Sequence, residues 1–318
     1  MQYKSRGRKA TKEGFAEGLV ELGKKYEDVV ALGADITSSV GMEDFAKNYR
    51  ERFFSMGIAE QNCIGTAAGL ALSGKVPVFS TYGVFAGIRT ADQVRISLCY
   101  NDVHAIIGGA HAGVSVGPDG ATHQALEDIA IMRVMPNMTL LSPADATQTK
   151  LATMAAYEQC AGPVYVRFGK APFPDFTNSA DAFEVGKAQT LKSGNDITLI
   201  ATGHLVWEAL LAAEQLAGEN INARVINMHT IKPIDKEIII KAARETKAII
   251  TAEEHQVHGG LGSAVAEVVV HNHPVPMTFV GMQDRFGESG QPEELMRKYG
   301  LTAEGIVSKV KNFYEKNS

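Results

Sequence analysis

The chain reads as an α/β protein built from two doubly wound units, and three observations predict this. Short apolar runs of strand length, such as 29–33, 76–80 and 103–107, alternate with stretches of helical spacing. That alternation is the pattern of a parallel sheet covered on both faces. Polar and aromatic residues collect just after these runs, where parallel sheets carry their ligand-binding loops. A proline-rich break at 170–178 interrupts the pattern, and strand–helix alternation then starts again. The 318 residues fit two domains. The expected division is a first domain at 1–172, a linker at 173–184 and a second domain at 185–318.

Taken in order, residues 9–25 place Ala10, Phe15, Leu19, Val20 and Leu22 at helical spacing, an opening helix. The strand at 29–33 leads into the polar loop 35–39, and 42–49 is helical. Arg52-Phe53-Phe54-Ser55 is a short strand that turns at 56–59 into a helix of small residues. Gly74 closes that helix as a left-handed cap. The strand 76–80 runs into Thr81-Tyr82-Gly83-Val84-Phe85, with a helix at 88–100. After the strand 103–107 comes a glycine-rich loop, 108–120, and a helix from about Gln124 to Met135. The strand 138–141 precedes Asp145, which caps a helix to Cys160, and 164–167 is the last strand of this half. Beyond the break, strands are expected at 197–201, 223–227 and 248–251, with helices at 206–216 and 235–246. Gly259-Gly260-Leu261-Gly262 opens one more helix.

Bulk properties exclude several classes. An apolar fraction of 45% with 21% charged residues supports a globular core. The net charge of −5 leaves no electrostatic footprint for nucleic acid. No apolar run spans a bilayer, and the basic cluster Lys4–Lys9 lacks a following apolar stretch, so neither membrane nor export is expected. Cys63, Cys99 and Cys160 are odd in number and show no ligand spacing, which indicates a reducing, cytoplasmic setting and no metal site of this chain's own. The glycines at 259–262 do not match G-x-G-x-x-G and read as a tight turn.

Two segments carry candidate chemistry. Glu60 stands where a strand turns into a helix; a lone acid there ordinarily complements the helix dipole. Its place among polar loops at the carboxyl ends of strands makes it a candidate acid instead. The stretch 111–124 sets His111, Asp119 and His123 in one loop that glycine frees conformationally. Histidine is suited to proton transfer near neutral pH.

Ile58-Ala59-Glu60-Gln61-Asn62, Ser80-Thr81-Tyr82-x-x-Phe85, Asp92-Gln93-Val94-Arg95 and Gly117-x-Asp119-Gly120-x-Thr122-His123-Gln124 together resemble the pyrimidine-binding domain of transketolase. Arg8-Lys9-Ala10 and Val166-Arg167 fit the same pattern, and 185–318 resembles that family's C-terminal domain. The resemblance implies thiamine diphosphate as cofactor, with Glu60 hydrogen-bonded to its pyrimidine. Phe85 and Tyr82 would offer the ring an aromatic face, and Ile58 would help form an apolar pocket around Glu60. It implies that Arg8, Arg167, Ser39 and His111 bind a sugar phosphate, that Asp119 contacts sugar hydroxyls, and that His123, with His111, works near the reacting carbonyl. Ile88 stands where some relatives carry a further aromatic.

The family's diphosphate-binding G-D-G…N segment is not found in this sequence. The resemblance therefore implies a larger N-terminal partner subunit that holds the diphosphate and its Mg2+ or Ca2+, in an α2β2 assembly. The implied reaction moves a two-carbon ketol unit from a ketose phosphate to an aldose phosphate, as in the pentose phosphate pathway. The alternatives are the β subunit of a 2-oxo-acid dehydrogenase E1, a deoxyxylulose-phosphate synthase-like enzyme, and a non-catalytic interaction module.

Overall fold

The computed structural model describes residues 3–317; residues 1–2 and 318, the outer ends of the two expected domains, lie outside the described residues. The N-terminal half contains strands β1 Arg8–Ala10, β2 Val29–Gly33, β3 Phe53–Ser55, β4 Val76–Tyr82, β5 Ile106–Ala110, β6 Thr139–Leu141 and β7 Val164–Arg167. Its helices are α1 Thr11–Lys25, α2 Glu43–Asn48, α3 Glu60–Leu72, α4 Ala91–Gln93, α5 Asp128–Val134 and α6 Ala146–Glu158. The chain continues through β8 Pro172–Pro174, β9 Gln189–Lys192, β10 Ile197–Ala201, α7 Leu205–Ala217, β11 Ala223–Asn227 and β12 Thr230–Lys232. It ends with α8 Lys236–Glu245, β13 Ile249–Gln256, α9 Leu261–Asn272, β14 Met277–Met282, α10 Pro292–Lys298 and α11 Ala303–Asn317.

Six strands of the first sheet are parallel, in the order β3-β2-β4-β5-β7-β6. Every residue of β2, β5 and β7 is buried, because helices cover both faces. The path leaves β2 toward β3 and then returns to β4 on the other side. This reversal opens a crevice at the carboxyl ends of β2 and β4, where parallel sheets bind ligands. The second sheet has the order β9-β11-β10-β13-β14 and is parallel except for β9.

The two halves are less separate than the sequence suggests. Strand β12, from the C-terminal half, pairs antiparallel with β6 and extends the first sheet. One apolar cluster runs from Leu140 and Met132 to Ile226, Ile231 and Ala264. The segment at 173–184 is also tied down. Strand β8 pairs with β1, and the Asp145 carboxylate accepts from the backbone N–H groups of Phe176 and Thr177. The same Asp145 caps α6 through Gln148, as its sequence position predicts. Gly74 ends α3 in the left-handed region at φ +83°.

Two helices depart from expectation. The helix expected from about Gln124 to Met135 is reduced to α5, because the backbone at Ala125 instead bridges to Ala112 and its carbonyl accepts from Gly113 N–H. The helix expected at 88–100 is π-helical at Phe85–Arg89 and Val94–Tyr100, on either side of α4. Among the described residues no helix is long and apolar enough to cross a membrane.

Helices α1 and α6 approach closely because Gly14 faces the Ala146 carbonyl, where an added Cβ would lie 1.9 Å from that oxygen. Gly14→Ala is expected to destabilise the protein by about 1–3 kcal/mol through overpacking. Thermal unfolding checks this, and an unchanged melting temperature would show that the helices can separate freely.

Candidate functional site

The loops at the carboxyl ends of β2, β3, β4, β5 and β7 converge as predicted. Glu60 is the first residue of α3 and is 3% exposed. Its Oε2 accepts a hydrogen bond from Arg89 Nη1 at 2.8 Å. The Arg89 guanidinium also lies over the Phe85 ring, 4.1 Å from its centroid. The π-helical turn spaces Phe85 and Arg89 so that the guanidinium covers the Phe85 ring while it bonds Glu60. The cleft between Glu60 and Phe85 thus holds a flat, hydrogen-bond-donating, delocalised group supplied by the chain itself. Ile58, expected to shield Glu60, is 74% exposed, so it does not wall this cleft. Ile88 is exposed as well.

A second compartment adjoins the first through shared aromatic rings. The Tyr82 and Phe85 centroids are 5.8 Å apart, and His123 meets both edge-on at 5.7 Å. Tyr82 also packs on His111 at 4.1 Å. Beyond them lies a cavity of about 390 Å³ lined by Lys12, Ser39, Tyr82, His111, Asp119, His123 and Lys170. Asp119 accepts from Lys170 Nζ with both oxygens, at 2.8 and 2.9 Å. His123 pairs with Thr122 Oγ1 through Nδ1 at 2.9 Å.

His111 is buried in the left-handed region at φ +54°, and its Nδ1 has no hydrogen-bond partner. Burial, with the nearby Lys170 charge, lowers its pKa to about 4. It is therefore neutral near pH 7, a polar contact rather than a cation.

The predicted arginines are placed elsewhere. Arg167 is 6% exposed, and its Nε and Nη2 form a bidentate pair with Asp128 at 2.9 and 3.2 Å. Nη2 also donates to the carbonyls of Ala125 and Glu254. Arg167 is a structural cation, since desolvating it required this complete set of partners. Arg8 is exposed, bonded to the Pro172 carbonyl and to Glu293. Neither arginine lines the cavity; its cations are Lys12 and Lys170.

Reading the sequence missed Lys12, Lys170 and Arg89. Signals existed for each: Lys12 is the second residue of α1, four residues after Arg8, Lys170 follows β7 by three residues, and Arg89 lies four residues past Phe85. Among the described residues no group of three or more His, Cys, Asp or Glu could hold a metal ion.

The transketolase pyrimidine binding domain family matches residues 8–174, and the transketolase C-terminal domain family matches 186–306. The chain is 45% identical over 307 residues to a transketolase C-terminal section of Methanocaldococcus jannaschii, covering 95% of each. It is 42% identical to a 6-deoxy-6-sulfo-D-fructose transketolase subunit of Clostridium sp. (strain MSTE9), covering 93% of this chain and 92% of that one. It is 41% identical to one subunit of an apulose-4-phosphate transketolase of Phocaeicola vulgatus, with coverages of 96% and 98%. A solved structure described as a split gene transketolase, inactive beta4 tetramer, superposes with a TM-score of 0.89 at 47% identity, covering 95% of this chain and 97% of that one.

The lowered pKa of His111 makes a testable claim with a definite sign. The unfolded chain protonates this imidazole below about pH 6.5, whereas the folded chain resists until about 4. Stability supplied by the neutral ring is therefore complete above 6.5 and is lost as pH falls through that window. A histidine NMR titration should show several rings still neutral near pH 4, those of His204, His229 and His255 among them, and the one lost in His111→Asn belongs to His111. A midpoint near 6.5 for that ring would contradict the buried placement.

Proposed function

The chain belongs to the transketolase family, and from that premise we propose that it is one subunit of a two-chain, thiamine diphosphate-dependent transketolase. It would move a two-carbon ketol unit from an anionic ketose to an aldose phosphate. The observation that carries this reading is the continuity of the Glu60–Phe85 cleft with the Tyr82–His111–Asp119–His123 cavity.

The cleft fits the cofactor's aminopyrimidine on one physical ground. Arg89 already satisfies it with a planar group hydrogen-bonded to Glu60 and stacked on Phe85, and the aminopyrimidine is also planar, with a ring nitrogen that would share a proton with the Glu60 carboxyl. Glu60 would hold a proton at the ring nitrogen, Phe85 would support the ring face, and Arg89 would give way. When bound, thiamine diphosphate supplies the nucleophilic carbon that carries the two-carbon unit. Its diphosphate and Mg2+ or Ca2+ are assigned to a larger N-terminal subunit, with active sites between chains in an α2β2 assembly. The three free cysteines fit a cytoplasmic enzyme.

In the cavity, Asp119 would accept hydrogen bonds from sugar hydroxyls while Lys170 keeps its carboxylate in place. His123 would move a proton at the substrate's carbonyl oxygen. Lys12, Lys170, Ser39 and neutral His111 would surround the substrate's anionic end. Lysine is a compact point charge without arginine's fixed fork, so it accommodates more than one anionic group or position. That tolerance suits a family whose relatives here are named for a sulfonated ketose and for a phosphorylated one.

The test is reconstitution with the larger subunit, followed by assay with xylulose 5-phosphate and ribose 5-phosphate, with sulfonated ketoses, and with pyruvate. Ketol transfer is expected. Glu60→Gln should lower kcat at least about 100-fold, and Lys170→Met should raise the donor KM by about tenfold or more, the loss of a charged hydrogen bond. Turnover of pyruvate in place of the ketoses, or an active Glu60→Gln complex, would overturn the reading.

A further inference from the structure

The sequence places all the chemistry in the N-terminal half, yet the loop 111–123 is not held by that half alone. At its centre, Ser115 N–H donates to Glu254 Oε1 at 2.5 Å, and Ser115 Oγ donates to Oε2 at 3.2 Å. Glu254 lies on β13 of the C-terminal half and is 4% exposed. Its carboxylate sits so close to the loop backbone that a Cβ on Gly113 would lie 2.1 Å from its carboxyl carbon. Gly113 also adopts φ +84°, so this approach depends on glycine.

The carboxylate is itself held from behind. The His204 ring lies with Nε2 3.1 Å from Oε2, though out of line for a hydrogen bond, and is stacked flat on Phe173 at 3.9 Å. Arg167 donates to the main-chain carbonyl of Glu254 and, with the same Nη2, to Ala125 at the loop's far end. The C-terminal half makes two further hydrogen bonds to the loop and its neighbour, Ser289 Oγ to the Pro118 carbonyl and Gln124 Nε2 to the Glu288 carbonyl, and α10 packs against 114–119. His111 is two residues before Gly113 and Asp119 is four residues after Ser115. An anchor at 113–115 therefore fixes both, and with them the Tyr82 and Lys170 contacts of the cavity.

We propose that Glu254 is the positioning residue of this loop: its carboxylate fixes the backbone at 113–115 and so sets His111, Asp119 and His123 against the substrate cavity. The C-terminal half thereby acts as a mould for a site whose reacting groups it does not carry. The catalytic part of this inference rests on the function proposed above; the structural part does not.

Two variants separate the possibilities. Glu254→Asp keeps a charge beside His204 and Arg167 but withdraws the acceptor from Ser115 by one methylene. Glu254→Gln keeps the length and an acceptor oxygen. Amide hydrogen exchange on the reconstituted complex is expected to run at least tenfold faster across 111–123 in Glu254→Asp, with β10 and β11 unchanged. Glu254→Gln should stay within threefold of the unsubstituted protein. In the same complexes the donor-sugar KM should rise about tenfold for Glu254→Asp, while thiamine diphosphate affinity stays within threefold, because Glu60 and Phe85 lie outside the loop. Exchange at 111–123 within twofold of normal in Glu254→Asp would overturn the proposal. So would an acceleration spread equally over the loop and both sheets, which would make Glu254 a general stabilising residue. If the unsubstituted complex transfers no ketol unit, the exchange result still decides whether Glu254 positions the loop, and only the sugar-transfer reading fails.

Discussion

The arrangement of both halves depends on one buried ion pair, Arg167 with Asp128. Arg167 ends β7, and Asp128 is the first residue of α5, where a carboxylate also complements the helix dipole. Tyr165 Oη donates to the same carboxylate at 3.0 Å, and burial together with the Asp128 charge pushes that phenol's pKa up. The guanidinium then reaches the Ala125 and Glu254 carbonyls. Four segments meet at one cation: β7, the end of the histidine loop, α5 and β13. Such a pair contributes little net stability against an apolar replacement, since desolvating both charges offsets their attraction. Removing one member is another matter, costing about 3–5 kcal/mol because the other charge is left buried. Its effect is therefore geometric: it permits one docking of the C-terminal half and penalises the rest.

That docking has a consequence for the site. A glycine-rich loop carries His111, Asp119 and His123, and Ala112, Gly113 and Gly120 tie it to Phe168, Ala125 and Gly117 of its own half. A further constraint comes from β13 through Glu254. Burial raises the carboxyls of Glu253 and Glu254 to about 7. Neither is an unsatisfied charge, however: Glu253 accepts from the backbone N–H groups of Leu261 and Gly262 at the start of α9, and Glu254 from Ser115. Each carboxylate is placed against backbone donors that would otherwise be orphaned, the standard solution for a buried acid.

The cavity also shows how charge is divided by depth. Arginine, with its rigid fork and many donors, is used where every donor can be satisfied inside the protein. Lysine is used at the partly open rim, where Lys170 holds Asp119 and Lys12 faces the same space. His111 is kept neutral between them by burial. A pocket built this way sets lysine cations and one fixed carboxylate, Asp119, around the same space.

Much of the fold was legible in the chain because its signals are local. Apolar runs bounded by turn residues placed the strands, Asp145 and Gly74 marked helix ends, and loops after parallel strands could only gather at one edge of the sheet. That Glu60, Tyr82, Phe85, His111, Asp119 and His123 share one edge was legible for the same reason, since each lies at or just past the end of a strand of the first sheet, whereas the roles expected of them came from the family resemblance. Side-chain direction and long-range partnership are not local. Whether Arg167 faced substrate or Asp128 depended on two segments 39 residues apart. Arg89 entered the Glu60 cleft because a π-helical turn set its spacing, and nothing in Ile58 announced that it would face solvent. Above all, Glu254 lies 139 residues from Ser115. The sequence determined which elements form and which loops share an edge, since those follow from periodicity and chain connectivity. Only the tertiary structure decided which charges are buried and spent on one another and which remain for a ligand, because desolvation depends on neighbours that arrive from the other end of the chain.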